Sequence, residues 1–348
     1  MRGVATGVAL GLLMLGLEAE ANESLSSTNI FLDIRSDNAA IDTLTSFGFD
    51  NFNPGTPVSD WGVMLDGSPS TFQLNTTSGG GIAFGTLTNS GGVIIGTATY
   101  TAGAYALTLT REYQIVGPNS VMVTTTVQNN GQAIGNFLGF DTFDPDIGIP
   151  RAGGFPTYND VFTSGGVLVG LASDTVTSQY SVALGVTDAR AVVAAGSPFQ
   201  INSAALLSSV ASAPFDGNGA LADQGLHVVF STALASGATT SFQYFLNFGT
   251  SPTDAITALQ ATMGGFCPTD NANNACAVGA TTNQSVLINA QGGTDTLQLG
   301  GTTNFDFDVS RIGTRFINFE VFQKTDTSTV TLTGTAGVPT LEIGRTHV

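Results

Sequence analysis

Positive charge is what this chain has least of. Its 348 residues include 9 Lys plus Arg against 26 Asp plus Glu, a formal net charge of −17, and charged residues of both signs reach only 10 %. Such a surface repels phosphate backbones and offers no basic patch from which counterions are released, so nucleic acid is not an expected partner. Histidine is nearly missing, with only His227 and His347 present. Nucleophile signatures are missing as well: no Gly-x-Ser-x-Gly occurs, and Cys267 and Cys276 are better explained as a pair than as nucleophiles. The glycine runs Gly79–Gly81 and Gly91–Gly92 precede strand-like segments, whereas a phosphate cradle needs a helix N-terminus after it. They read as turns. Helical patterning is scarce too; its best candidate is Pro252–Met263, where Ala255, Ile256, Leu259 and Met263 fall near one face.

A long apolar run occurs at the N-terminus. Arg2 supplies a positive residue, Val4–Leu17 forms an apolar core, and Ala19-Glu20-Ala21 fits the small-x-small cleavage rule, which together make the layout of a secretory signal. A spanning helix needs about 20 apolar residues, and this run stops at Glu18 and Glu20. Residues 1–21 are therefore expected to be cleaved off, leaving a mature chain with no integral membrane segment. The cysteines suit the oxidising compartment that export implies. Cys267 and Cys276 bracket a polar, turn-rich loop, and two cysteines allow a single intramolecular pairing. Neither histidine is close enough in sequence to complete a zinc site. The expected disulfide closes a linker over residues 261–280 and contributes at most a few kcal/mol.

Strand signals fill residues 22–260. Tyr105, Leu107 and Leu109 alternate with small or polar residues, Gly117-Pro118-Asn119-Ser120 makes a turn, and Val121, Val123, Thr125 and Val127 return along one face. This predicts a hairpin. A second hairpin is predicted from Leu226–Phe230 and from Phe242, Tyr244, Leu246 and Phe248, on either side of Ala235-Ser236-Gly237-Ala238. The expected fold class is all-β, with two antiparallel sheets packed face to face as a large sandwich. The stretch from Arg111-Glu112-Tyr113 to Gly131, then Phe140–Asp146, Tyr158-Asn159-Asp160 and Gly237–Tyr244, resembles a large β-sandwich module of secreted bacterial surface and RTX-type proteins. It is also similar to the supersandwich of galactose mutarotases. The resemblance implies an architecture more than an activity.

Beyond residue 281 the pattern becomes brief period-2 runs ending in glycine, Thr294–Gly300 and Ser328–Gly334. Between them lie Phe305, Phe307 and Val309, then Ile317, Phe319 and Val321, each two residues apart. Gly292–Gly300, Ile317–Thr325 and Thr329–Gly334 resemble, in order, phrases of Gram-negative autotransporter passengers, where they open a right-handed parallel β-helix. The resemblance implies that residues 281–348 are the first rungs of such a helix, truncated. It also implies a secreted or cell-surface chain, non-catalytic and adhesin-like, with surface glycans or host and matrix proteins as partners. One departure from that family is the outer-membrane barrel of repeated alternating strands, which does not follow here.

Asp141, Asp144 and Asp146, with Asn159 and Asp160 a short loop later, form the leading candidate site. Calcium takes about six to eight oxygens, and closely spaced Asp and Asn on turns supply several. Asp216-Gly217-Asn218-Gly219, with Asp223 following, is a second candidate. Asp beside Pro or Gly is also ordinary turn chemistry. No cofactor is expected apart from calcium at the first cluster. Two of its carboxylates would also suit glycosidase-type acid catalysis. His227 is the single histidine of the sandwich and lies in a strand pattern, so it receives no catalytic role. The leading expectation is thus a structural, non-enzymatic scaffold, and the alternatives are a calcium-dependent binding module and a secreted carbohydrate-active enzyme. If the export signal is read correctly, N-terminal sequencing of secreted material starts at Asn22; mature protein beginning at Met1 would refute it.

Overall fold

The computed structural model describes residues 21–51, 59–67, 71–73, 82–149, 154–164, 167–175, 180–196 and 220–262, and from there 275–278, 288–289, 296–299, 305–309, 312, 316–317, 321–324 and 329–333. Two large antiparallel sheets dominate. Nine strands make the first, in the order β16 (Ala220–Ala222), β12 (Thr157–Ser164), β13 (Val167–Ser173), β14 (Ser181–Val186), β18 (Thr239–Gly249), β10 (Ser120–Asn129), β9 (Tyr105–Gly117), β8 (Val93–Ala102) and β7 (Ile82–Ser90). Five make the second: β15 (Ala191–Gly196), β17 (Gly225–Leu234), β11 (Ile134–Phe143), β5 (Ser59–Leu65) and β6 (Thr71–Gln73). The all-β class and the large antiparallel sheets agree with the expectation from sequence.

Strand alternation builds the space between the sheets. Leu107, Leu109, Arg111 and Tyr113 are the buried positions of β9, and the residues between them are half-buried. Leu107, Leu109 and Tyr113 join Val121, Val123, Val127, Phe137, Val228, Phe230, Phe242, Tyr244 and Leu246 in one buried cluster. A four-stranded antiparallel sheet of β1 (Glu23–Ser26), β2 (Ile30–Ile34), β3 (Ile41–Ser46) and β4 (Phe49–Asp50) adds Leu32, Ile34, Ile41 and Leu44 to the same cluster.

The predicted hairpin around Gly117–Ser120 is present: β9 pairs β10 antiparallel, with Val123 opposite Tyr113 and Val127 opposite Leu109. The second predicted hairpin is not. The turn at 235–238 forms, with Gly237 at φ 75° and the Ala238 N–H donating to the Ala235 carbonyl, but β17 pairs β11 and β15 while β18 pairs β10 and β14. The chain therefore crosses from one sheet to the other at this turn. Period-2 apolar runs on both sides are equally suited to partners in either sheet, and Phe230 stacks on Phe242 across the interior at a centroid distance of 4.4 Å.

Helix α1 (Pro252–Thr262) matches the helical segment read from sequence. Ser251 caps it, its hydroxyl accepting from the Asp254 N–H at 3.1 Å. Ala255 and Leu259 are fully buried against the outer face of the nine-stranded sheet. Strands of the C-terminal region pair in parallel: β19 (Ala275–Val278), β21 (Thr296–Leu299) and β24 (Val321–Lys324) in one sheet, β20 (Ile288–Asn289) with β23 (Phe316–Ile317), and β22 (Phe305–Asp308) with β25 (Val330–Thr333). The expected rungs of a parallel β-helix are corrected here. Among the described residues parallel pairing is limited to these short, separate sheets. The apolar side chains that were to stack into a core of their own, Leu297, Leu299 and Phe307, are buried in one cluster with Met122, Phe162, Val169, Leu171 and Phe245 of the large sheet. Cys267 lies outside the described residues and only the backbone of Cys276 is described, so the expected disulfide lies outside them as well.

One ionic contact joins the two sheets from the inside. Arg111 of β9 and Asp141 of β11 form a two-pronged salt bridge with both residues 4 % exposed or less. Arg111 also donates to the Tyr113 hydroxyl and to Thr125 Oγ1, and its guanidinium lies 5.0 Å from the Trp61 ring centre. Removing one partner strands a buried charge, which costs about 3–5 kcal/mol, whereas replacing both by apolar groups of similar volume is close to neutral. Chemical denaturation is therefore expected to show Arg111→Met and Asp141→Leu each strongly destabilised, and the double variant recovering most of the loss. Additive losses in the double variant would refute this.

Candidate functional site

The site begins where β11 ends. Alternation turns Asp141 inward to Arg111 and Thr142 outward to His227, whose Nδ1 lies 2.9 Å from the Thr142 hydroxyl. Past Phe143 the chain leaves the sheet, because Pro145 has no N–H to give to a ladder. A tight turn follows: the Ile147 N–H donates to the Pro145 carbonyl and the Ile149 N–H to the Asp146 carbonyl, while the Asp146 N–H is anchored on the Asn51 carbonyl at 2.9 Å. From the other sheet, β16 pairs with β12 through Thr157 opposite Ala222, which places Asp223 just past the end of that ladder. A carboxylate oxygen from each of Asp144, Asp146 and Asp223 lies within 4.8 Å of the others.

Asp144 and Asp146 are buried and Asp223 is exposed, so the cluster has a dry side and a wet side. Among the described residues no salt bridge reaches any of the three. Burial, then the charge of Asp223, pushes the Asp144 carboxyl up to about 7. Burial, then the charges of Asp144 and Asp223, pushes Asp146 up to about 8. Three converging carboxylates can relieve their repulsion by holding a proton or by holding a divalent ion.

Of the residues singled out from sequence, Asp144 and Asp146 come together and the other three do not. Asp141 accepts from Arg111 and, at 3.2 Å, from the Tyr244 hydroxyl; burial raises its pKa while Arg111 opposes the shift. It is the counter-ion of Arg111 in the core and is not one of the three converging carboxylates. Asn159 is spent on the β12–β16 edge, its Nδ2 donating to the Thr157 and Ala222 carbonyls and its Oδ1 accepting from the Thr157 hydroxyl. Asp160 accepts from the Val161 N–H. The third carboxylate is Asp223, which the sequence had placed with a separate candidate group. Residues 216–219 of that group lie outside the described residues. A separation of 77 or more positions in sequence hides this partnership, which depends on β16 pairing with β12 rather than on any local motif.

No family model and no curated protein matches this sequence. Among solved structures, the chain is similar to a galactose mutarotase-like protein from Lactobacillus casei (11 % identity, 66 % of this chain and 100 % of that one, TM-score 0.42). It is also similar to a galactose mutarotase related enzyme from Lactobacillus acidophilus (8 % identity, 67 % and 99 % covered, TM-score 0.40). A mutant heparan sulfate lyase from Pedobacter heparinus is a third (12 % identity, 70 % and 37 % covered, TM-score 0.37). The autotransporter-passenger resemblance is corrected by the C-terminal packing described above: the parallel pairs are short, separate sheets, and Leu297, Leu299 and Phe307 are buried against the large antiparallel sheet. The expectation of a non-catalytic, adhesin-like chain rested on that resemblance and is withdrawn with it.

The raised carboxyls have a consequence for stability. When folded, Asp144 and Asp146 keep their protons up to about 7 and about 8, whereas unfolded they ionise near 3.8. The folded chain thus binds more protons between these limits, and the stability that this confers at low pH is lost as pH climbs from roughly 4 to 8. The melting temperature of the wild type is expected to fall over this range more steeply than that of the Asp144→Asn/Asp146→Asn double variant. Parallel pH profiles for the two would refute the assignment.

Proposed function

We propose that this is an exported carbohydrate-active protein in which Asp144 and Asp146 act as a proton-sharing acid–base pair at one end of the sandwich, open to solvent at Asp223. The observation that carries this reading is the convergence of three carboxylates, two buried and one exposed, that no salt bridge reaches among the described residues. Sugar chemistry at an acetal or hemiacetal centre needs one group to give a proton and another to take one. Neighbouring carboxyls whose affinities for the proton are raised toward neutrality supply both from one pair. The sugar class itself comes from the supersandwich resemblance read in the sequence. Export rests on the N-terminal segment, and among the described residues no helix is long and apolar enough to cross a membrane.

A second reading, calcium binding, is favoured by one specific feature: all three carboxylate oxygens lie within 4.8 Å of one another, a span that a single divalent ion can bridge. The two readings separate in one set of measurements. On the acid–base reading, a glycan panel shows turnover that persists in chelator, and Asp146→Asn lowers the rate by about 10²-fold or more. On the calcium reading, millimolar calcium raises the melting temperature by mass action and Asp144→Ala erases the increase. No turnover on any glycan, together with identical melting curves in calcium and chelator, would sink both.

A further inference from the structure

We propose that removal of the N-terminal segment makes Asn22 an internal ligand: its new α-ammonium docks on the carboxylates of Asp33 and Asp42 and locks the first strand of the four-stranded sheet. The small-x-small rule puts the scissile bond between Ala21 and Asn22, and Asn22 stands one residue before β1, which starts at Glu23. The Asn22 side chain lies between the two carboxylates. Its Nδ2 donates to Asp33 Oδ2 at 2.7 Å and to Asp42 Oδ2 at 3.3 Å, while its Oδ1 accepts from the Ser36 N–H at 3.1 Å.

An irregularity in the ladder brings the two acids together. β2 pairs β3 with Asp33 opposite Thr43 and Ile34 opposite Ile41, so Asp42 is the extra residue of a bulge. Regular alternation would send Asp42 to the face away from Thr43, and a bulge re-aims such a side chain. The amide shared between Asp33 and Asp42 shows that both reach the same spot. Carboxylates this close repel, and a cation beside them relieves the repulsion. The nearby guanidinium, Arg35, is committed to Asp37 by two hydrogen bonds at 2.7 and 2.9 Å and comes no nearer to Asp42 than 3.6 Å. Among the described residues no salt bridge reaches Asp33. Burial pushes its carboxyl up, the Asn22 hydrogen bond opposes this, and the charges of Asp42 and Glu23 add to it.

Covalent geometry keeps the backbone nitrogen of Asn22 within about 5 Å of its own Nδ2, which leaves it about one screening length or less from Asp33 at physiological salt. In the uncleaved chain that nitrogen is a neutral amide; cleavage makes it a cation. The charged groups around it are Glu23 of β1, Asp33 of β2, Arg35 and Asp37 of the following turn, and Asp42 of β3. Strands β7 and β8, which pack against β1, carry no charged residue, and β9 meets β1 at its far end, where residues 115–117 line a cleft with Ser26 and Ser27. An α-ammonium held by carboxylates keeps its proton above the pH at which an unfolded chain releases it. The stability this adds is complete below the unfolded value, about 7.7–8.0, and is lost as pH rises through the raised one. Cleavage itself rests on the export reading, whereas the lock is tested on chain prepared to begin at Asn22, so the two fail separately.

The test compares residues 22–348 carrying a free amine with the same chain acetylated on the Asn22 nitrogen, which removes the charge and keeps every side chain. By NMR the free amine of the folded protein is expected to titrate above about 8.5, against about 7.7–8.0 for an unfolded terminus. In low salt the free-amine form is expected to melt higher than the acetylated form near neutral pH, with the gap closing as pH climbs toward about 10. Asp33→Asn and Asp42→Asn each bring the amine back toward its ordinary value and narrow the gap. Because a substitution beside a bulge can also disturb the sheet, the amine titration of the unaltered chain stands as a separate measurement. An amine that titrates at or below about 8 in the folded protein overturns the proposal. So do equal melting temperatures of the free and acetylated forms near neutral pH, or a gap that survives in the Asp33→Asn/Asp42→Asn double variant.

Discussion

The bridge from Arg111 to Asp141 is the contact on which the sandwich interior depends. It joins β9 of the nine-stranded sheet to β11 of the five-stranded one, and the groups around it are arranged to complete its hydrogen bonding. Asp141 receives Arg111 and Tyr244, Arg111 gives to Thr125 and Tyr113, and Tyr113 passes on to the Ala39 carbonyl at 2.5 Å. Burial works against the Arg111 charge, and Asp141, Tyr113 and Tyr244 together more than offset it. A buried pair of this kind adds little net stability over an apolar pair, and a fixed registration of two sheets is a role that it serves better. The turn at Asn38–Ala40 is fixed by the same network. Trp61 donates to the Asn38 carbonyl, and Ala39 is held at φ 52°, a left-handed conformation that a residue with a Cβ adopts at a cost of about 1–2 kcal/mol.

Registration of the sheets decides where the carboxylate cluster forms. Asp141 and Asp144 are three residues apart, yet one is locked in the core and the other belongs to the site, because the strand ends between them. Asp223 comes from the edge of the opposite sheet, carried there by the Thr157–Ala222 pairing. The cluster therefore sits where the end of a central strand of one sheet meets the edge of the other. Asp144 and Asp146 are raised by burial and by the neighbouring carboxylates, with no arginine or lysine in a salt bridge to the cluster among the described residues. The contrast with Asp141 is instructive: similar burial, opposite surroundings, and so one carboxyl works as a permanent counter-ion while the other two become responsive to protons or cations.

The outer face of the nine-stranded sheet is covered by α1 and by the C-terminal strands. Gly185 shows how closely α1 sits: a side chain there would meet the Leu259 methyls at 2.4–2.6 Å. Leu297, Leu299 and Phe307 extend that cover. This is why period-2 runs that resemble the opening of a solenoid do not make one here. Their apolar side chains are buried in the same cluster as Phe162, Val169 and Phe245, and a surface already supplied by a large sheet is an alternative to stacking rung upon rung.

Much was determined by local sequence alone. The all-β class, the β9–β10 hairpin with its turn and the helix at 252–262 follow from apolar periodicity and turn residues, which act over a few residues, and the nearness of Asp144 to Asp146 follows from their spacing. Tertiary structure decided the rest. It sent β17 and β18 into different sheets, since alternating apolar residues state which face of a strand is buried and not which neighbour it pairs with. It withdrew Asp141 from the site by offering it Arg111, spent Asn159 and Asp160 on backbone hydrogen bonds, and brought in Asp223 from 77 residues beyond Asp146. A carboxylate's role is set by the charge and solvent around it, and those come from partners that only the folded chain brings near.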